Sequence, residues 1–332
     1  MPDRKISNLT WFWILLVAVS LLVLAVAPWM GQSISLPEIL SPDSSIGHTI
    51  FWKMRVPRVL LAYVSGASLA LCGMCFQGMF RNALATPYTL GVSSGASLGV
   101  TIHIYLGGML ALPGFNASST AAFLGAVATI ILVYGLTSLR GSVTPSVLLL
   151  AGVAVSFFFS SLILLFQYLS DFTELQQQMR WLMGGVETVG YQEVKQLTFF
   201  CGVGMLLILW QADALNLLAL GDEFALSRGV NVIRIRKVFF FAVSLMVGSV
   251  VAFCGPIGFV GMVCPHICRM FVGDNHRRLA PASILFGGGF LVICDTIGRC
   301  LIAPVEIPTG IITALLGGPF FLWLLFSRRE NI

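Results

Sequence analysis

Charge is scarce in this chain. Only 10% of its 332 residues are Asp, Glu, Lys or Arg, while 57% are hydrophobic. An ordinary soluble domain carries about 25% charged residues, so a water-facing surface all round is excluded. The marks of nucleotide and hydrolytic chemistry are also missing. There is no Walker A pattern, no His-Glu-x-x-His and no Gly-x-Ser-x-Gly. No catalytic pair of residues converges, and the chain does not read as an enzyme. If ATP drives its work, another chain binds the nucleotide. The eight cysteines make no disulfide framework, because all lie within or beside apolar runs, where free Cys acts as a small hydrophobe. Cys72-Gly-Met-Cys75 has a redox spacing without the βαβ context that would support it. Cys264, His266 and Cys268 place soft ligands around Pro265. Packing of small residues at a kink accounts for them, and no metal is expected there.

Long apolar runs are what the sequence has instead. A membrane span needs about 20 residues, and ten runs qualify: 11–30, 57–79, 92–111, 117–138, 147–169, 194–212, 233–254, 256–272, 280–302 and 307–326. The connections are too short for a soluble domain. The expectation is one all-α, polytopic membrane domain over residues 1–332. The third and eighth runs are rich in Gly, Ser and Pro. With ten spans both termini share a side. Placing them in the cytoplasm puts thirteen of the 19 basic residues inside and leaves Lys53, Arg55, Arg58, Arg180, Lys195 and Arg299. The net charge of +5 follows from this bias and does not indicate nucleic-acid binding. Arg4, Lys5 and Ala25-Val26-Ala27 imitate a signal peptide. The length of the run and its flanking Trp11, Trp13 and Trp29 indicate an uncleaved first span.

The stretch from Gly255 to His266 is the most informative. It holds three glycines and two prolines between apolar runs. In hydrocarbon, backbone groups freed by such residues need partners from protein or a polar cavity. A segment of this kind braces or lines a pathway, as in a transporter. A second stretch, residues 213–232, interrupts the runs on the cytoplasmic side. Apolar residues recur there at helical spacing on each side of Gly221, with Asp222 and Glu223 suited to a helix start. It reads as two short helices outside the bilayer, exposing Leu and Phe for a helix-in-groove contact. A hairpin resting on lipid is disfavoured, since basic residues come only at the end of the segment.

Motifs in order then carry a resemblance over nearly the whole chain from Arg55. They are Arg55-Val56-Pro57-Arg58, Gln77 to Pro87, Leu90-Gly91-Val92, Leu148 to Val153, Trp181 to Gly185, Leu217 to Asp222, Gly255 to His266, His276 to Pro281, Asp295 to Arg299, and Glu306 to Gly310. Together they resemble the permease subunits of bacterial importers for iron–siderophore, haem and vitamin B12, the large-type ABC importers. The resemblance implies a ten-span subunit of the bacterial inner membrane, paired with a second permease subunit, identical or sister, around a central pathway. It implies two ATP-binding cassette subunits below, holding ATP and Mg, and a periplasmic binding protein above. No cofactor is implied on this chain. The implied cargo is a bulky metal chelate, ferric siderophore first, with haem, cobalamin or an oxyanion as alternatives. The implied ATPase-coupling residues are Leu217, Leu218, Leu220, Gly221, Asp222, Glu223 and Phe224. A cytoplasmic gate falls on Asn82, Leu84, Thr144 and Ser146, and binding-protein docking on Arg55, Arg58 and Arg299. Arg299 also lies one helical turn from Asp295, where a structural intramembrane pair would relieve a buried acid. The chain departs from the family at Ala83, where Pro is usual after Asn, and at Pro145. The contrasting class is a proton-coupled secondary transporter using Asp295 or His266, which would have no use for residues 213–232.

Overall fold

The computed structural model describes residues 2–31, 46–83, 85–108, 116–139 and 145–327, and their regular structure is helical. In chain order the helices are α1 (Pro2–Val26), α2 (Ile46–Phe80), α3 (Val92–Tyr105), α4 (Ala117–Leu139), α5 (Pro145–Leu169), α6 (Phe172–Leu182), α7 (Gln192–Trp210), α8 (Ala212–Leu220), α9 (Asp222–Ser227), α10 (Val232–Cys254), α11 (Val260–Val272), α12 (His276–Cys300) and α13 (Thr309–Ser327). Seven of them, α1, α2, α4, α5, α7, α10 and α12, are long and apolar enough to cross a membrane. Of the other three predicted spans, α13 has 19 residues, while α3 and α11 are clearly shorter. α3 has 14 residues and α11 has 13. At 1.5 Å per residue each is about 20 Å long, short of a hydrocarbon core of about 30 Å.

The boundaries differ from the sequence reading where glycine and proline act. The third run was expected to reach Ala111, but α3 ends at Tyr105 in a turn through Gly107 and Gly108, both at positive φ. The eighth was expected to begin at Pro256. The backbone stays irregular to Phe259, which itself has φ of 67°, and the helix starts only at Val260. The ninth begins earlier than expected, at His276, because the Asn275 side chain caps it by accepting from the Arg277 N–H at 3.0 Å.

α2 is the most enclosed of the long helices and packs against α7, α10, α11 and α12. Its approach to α11 depends on Gly73. A Cβ there would stand 1.6 Å from the Gly261 carbonyl oxygen, so only glycine permits this crossing. The same contact handles a proline. Pro265 has no N–H to return to the Gly261 carbonyl. The Gln77 amide on α2 donates to the Gly261 and Met262 carbonyls instead, at 3.4 Å each. Pro57 poses the same problem near the start of α2. There the helix widens to a π-helical stretch over Ile50–Arg55, and the Lys53 carbonyl accepts from the Gly190 N–H at 2.7 Å.

The irregular segment 255–259 is braced by bonds to Ile257 within it and to Cys254 just before it, and a further bond joins the neighbouring Gly184 to α13. The Cys254 carbonyl accepts from Gly185 N–H at 2.8 Å. The Gly184 carbonyl accepts from Gly310 N–H at 3.1 Å. The Tyr88 hydroxyl donates to the Ile257 carbonyl at 2.6 Å and accepts from its N–H at 3.2 Å. One phenol thus closes both backbone groups of a buried residue.

Gly73→Val should cost about 1–3 kcal/mol or more through overpacking, read as a lower thermal midpoint of the detergent-solubilised protein. Gly135→Val is the control, because a Cβ there meets nothing within 4 Å. Equal midpoints for the two variants would show that the α2–α11 crossing carries no such constraint.

Candidate functional sites at the two polar ends of the bundle

At one end, α8 and α9 form a short helical pair that turns at Gly221, whose φ of 133° and ψ of 156° suit glycine alone. The pair is held on its inner side by polar contacts with the helices it sits on. The Asn216 side-chain oxygen accepts from the His276 backbone N–H and from its Nδ1, both at 2.8 Å. Asp213 pairs with Arg277. Asp222 accepts two hydrogen bonds from Arg236 of α10, at 2.7 and 2.9 Å, and lies 3.9 Å from Arg81 at the end of α2. Leu215, Leu218 and Ala225 are buried beneath. Leu220, Phe224 and Leu226 point away, 69%, 40% and 58% exposed. Within the predicted coupling set, Leu218 is therefore an inward anchor and Asp222 a clamp, while Leu220, Glu223 and Phe224 form the free surface. Leu226 belongs to that surface and was missed in sequence. It continues the apolar spacing past Gly221, which was the available signal. Arg228 lies over the Phe224 ring, 5.4 Å from its centroid.

Arg81 links this pair to the predicted gate. It ends α2 in the left-handed conformation, with φ of 51°. Asn82 follows it, exposed, and its backbone N–H donates to the Gln77 carbonyl at 3.2 Å. Ser146 is exposed in the first turn of α5. Leu84 and Thr144 lie outside the described residues.

The opposite end holds a charge network. The Asp295 side chain is 1% exposed and receives Arg58 at 2.9 and 3.1 Å, together with the Thr309 hydroxyl at 3.2 Å. Arg299 Nε lies 3.1 Å from the second Asp295 oxygen, one turn along α12. Arg58 reaches Glu306 as well, at 2.6 Å. Arg299 donates to the Ala27 and Met30 carbonyls, and Arg55 to the Pro28 carbonyl, which ties the end of α1 to α12 and α2. The three arginines predicted to dock a partner are thus part of an internal network. The long-range Arg58–Asp295 pair was missed, because 237 residues separate the two. Three guanidiniums against two carboxylates leave one net positive charge.

Beside this end runs α6, which the sequence reading left without structure. Asp171 and Glu174 build a capping box at its start, the side chain of each accepting from the backbone of the other at 2.8 and 3.3 Å. The Asp-x-x-Glu spacing was the overlooked signal. His266 meets the edge of Phe320, with ring centroids 6.1 Å apart, while Cys264 and Cys268 are buried. Among the described residues, no group of three or more His, Cys, Asp or Glu is placed to hold a metal.

Known proteins resemble this chain over most of its length. The haemin transport system permease of Yersinia pestis is 37% identical, over 96% of this chain and 95% of its own. The vitamin B12 import system permease of Klebsiella pneumoniae is 39% identical, over 86% of this chain and 85% of its own. A solved structure described as a metal-chelate type ABC transporter in an inward-facing conformation superposes with a TM-score of 0.84 at 32% identity, covering 98% of this chain and all of that one. The model of the FecCD transport family matches residues 11–327, and the chain belongs to that family.

Proposed function

We propose that this ABC importer permease carries a bulky metal chelate, ferric siderophore first, from a periplasmic binding protein into the cytoplasm. The chain is a translocation subunit and not an enzyme, with ATP hydrolysis on a separate subunit. Haem and cobalamin are alternatives with equal support, since relatives are named for haemin and vitamin B12. The observation that carries the reading is the α8–α9 pair, clamped by Asp213, Asn216 and Asp222 yet presenting Leu220, Phe224 and Leu226 outward. Two ATPase subunits would seat that surface in a groove. A proton-coupled transporter would have no use for it, and Asp295 is committed to two arginines. We place both termini in the cytoplasm by the positive-inside rule. The exposed Phe157, Phe158 and Leu164 of α5 support pairing with a second permease subunit across a central pathway.

The test is uptake of labelled ferric siderophore, haem and cobalamin into proteoliposomes holding the permease, its ATPase subunits and its binding protein. Uptake of one of them should require ATP, and Gly221→Val should abolish it while the permease still inserts. Uptake that ignores ATP and collapses with a protonophore would overturn the reading.

The gate is proposed at Asn82 and Ser146, with Leu84 and Thr144. Cysteines placed at Asn82 or Ser146, in a background without native cysteines, should crosslink between the paired subunits with a yield that changes with nucleotide. No crosslink in any nucleotide state would remove these residues from the gate.

Docking at the opposite end is proposed to use the net positive charge of the network. Arg55→Glu should weaken binding-protein capture, more strongly at low salt than at high salt. Arg58→Glu and Arg299→Glu should instead reduce the yield of folded protein, because each strands the buried Asp295 at a cost of about 3–5 kcal/mol. Capture unchanged by Arg55→Glu at both ionic strengths would leave Arg55 with a structural role only.

A further inference from the structure

A groove lies on the flank of the bundle between α4 and α10, and neither polar end uses it. Its main cavity measures about 310 Å³ and is lined by Ala126, Val127, Ile130, Phe241, Leu245 and Gly248 among others. A second cavity of about 130 Å³ continues it past Phe123, which borders both, to Ser119 and Thr120. The groove exists because its floor is made of small residues. A Cβ at Gly248 would come within 3.2 Å of the Ala126 Cβ, so the two helices approach closely and leave nothing to fill the trough.

One end of the groove is basic. Tyr134 packs against Phe241 with ring centroids 5.6 Å apart, and Lys237 Nζ lies 5.9 Å from the Tyr134 centroid. Lys237, Phe241, Ser244, Leu245 and Gly248 recur at helical spacing on one face of α10, and Arg234 extends that face by one turn. Lys237 and Arg234 are both exposed, and neither α4 nor α10 carries an Asp or Glu. Ser244 adds a polar atom within the apolar lining. Its hydroxyl is buried and has no hydrogen-bond partner in the described structure.

We infer that this groove holds one acyl chain of an acidic phospholipid, with the phosphate at Lys237 and Arg234. Charge sets the headgroup: two cations without a neighbouring carboxylate on either helix attract an anionic lipid. Shape sets the chain. From Ser119 to Ile131 the trough runs about 18 Å along α4, close to the half-thickness of a hydrocarbon core, about 15 Å. A helix is about 10 Å across, and a trough this slender seats a single chain and not a helix. The Ser244 hydroxyl, lying below the basic end, is placed to donate to a chain's ester carbonyl. The inference does not depend on which chelate is carried.

Native mass spectrometry of the full-length protein in detergent tests it, with phosphatidylglycerol and phosphatidylcholine of identical chains as the probes. The wild type should retain phosphatidylglycerol preferentially, by about fivefold for each basic residue. Lys237→Gln with Arg234→Gln changes only exposed side chains and should remove the preference while weak binding of both lipids persists. Val127→Phe, which fills the trough, should reduce retention of both. Equal retention of the two lipids by the wild type would overturn the inference. So would a preference unchanged in the double variant. A photocrosslinker at Leu245 that captures polypeptide and no lipid would show a protein occupant and overturn it as well.

Discussion

The constraint on which this structure depends is that no backbone group inside hydrocarbon can be left to water. The chain interrupts its helical hydrogen bonding repeatedly, at Pro57, at Gly255 and at Pro265, and each interruption is met by a donor from elsewhere. Gly190 serves the Lys53 carbonyl, Gly185 the Cys254 carbonyl, Gln77 the Gly261 carbonyl, and the Tyr88 hydroxyl both groups of Ile257. An unsatisfied buried group costs several kcal/mol in lipid, so these are conditions of folding. They also join α2, α10, α11 and the connections before α3, α7 and α11 into one body. This bonding lets the protein keep non-helical backbone at residues 255–259.

The two polar ends solve a related problem for charge. Asp295 lies almost fully buried, where a carboxylate without partners would lose its solvation uncompensated. Arg58, Arg299 and Thr309 hold it from three elements. At the other end Asp222 sits between Arg236 and Arg81, so the helical pair beyond Gly221 is fixed to α10 and to the end of α2. Under the proposed coupling role, a push on exposed Leu220 or Phe224 would pass through Asp222 to Arg81, which precedes Asn82.

Between these ends the molecule shows apolar side chains to its surroundings. α1, α5 and α7 are largely exposed along their lengths, as helices facing lipid or a second subunit must be. α2 is enclosed because it carries small residues where its neighbours cross it. Burial within lipid follows side-chain size and backbone approach rather than hydrophobicity, since lipid and core are equally apolar.

By itself the sequence determined the membrane class, the helix at each of the ten apolar runs and the reversal at Gly221. Apolar length and glycine conformation are local properties, and local properties are written in consecutive residues. Run length could not show that α3 and α11 fall short of a full span, because Gly, Ser and Pro interrupt helices only when neighbours offer their backbones other partners. Arg58 read as a charge left over from the inside rule. Tertiary structure alone could bring it to Asp295 across 237 residues, turning an apparent surface group into the counter-ion of a buried acid. Leu218 and Leu220 illustrate the same division on a smaller scale. Both belong to one apolar segment, yet the packing of α8 on the bundle buries the first and leaves the second exposed.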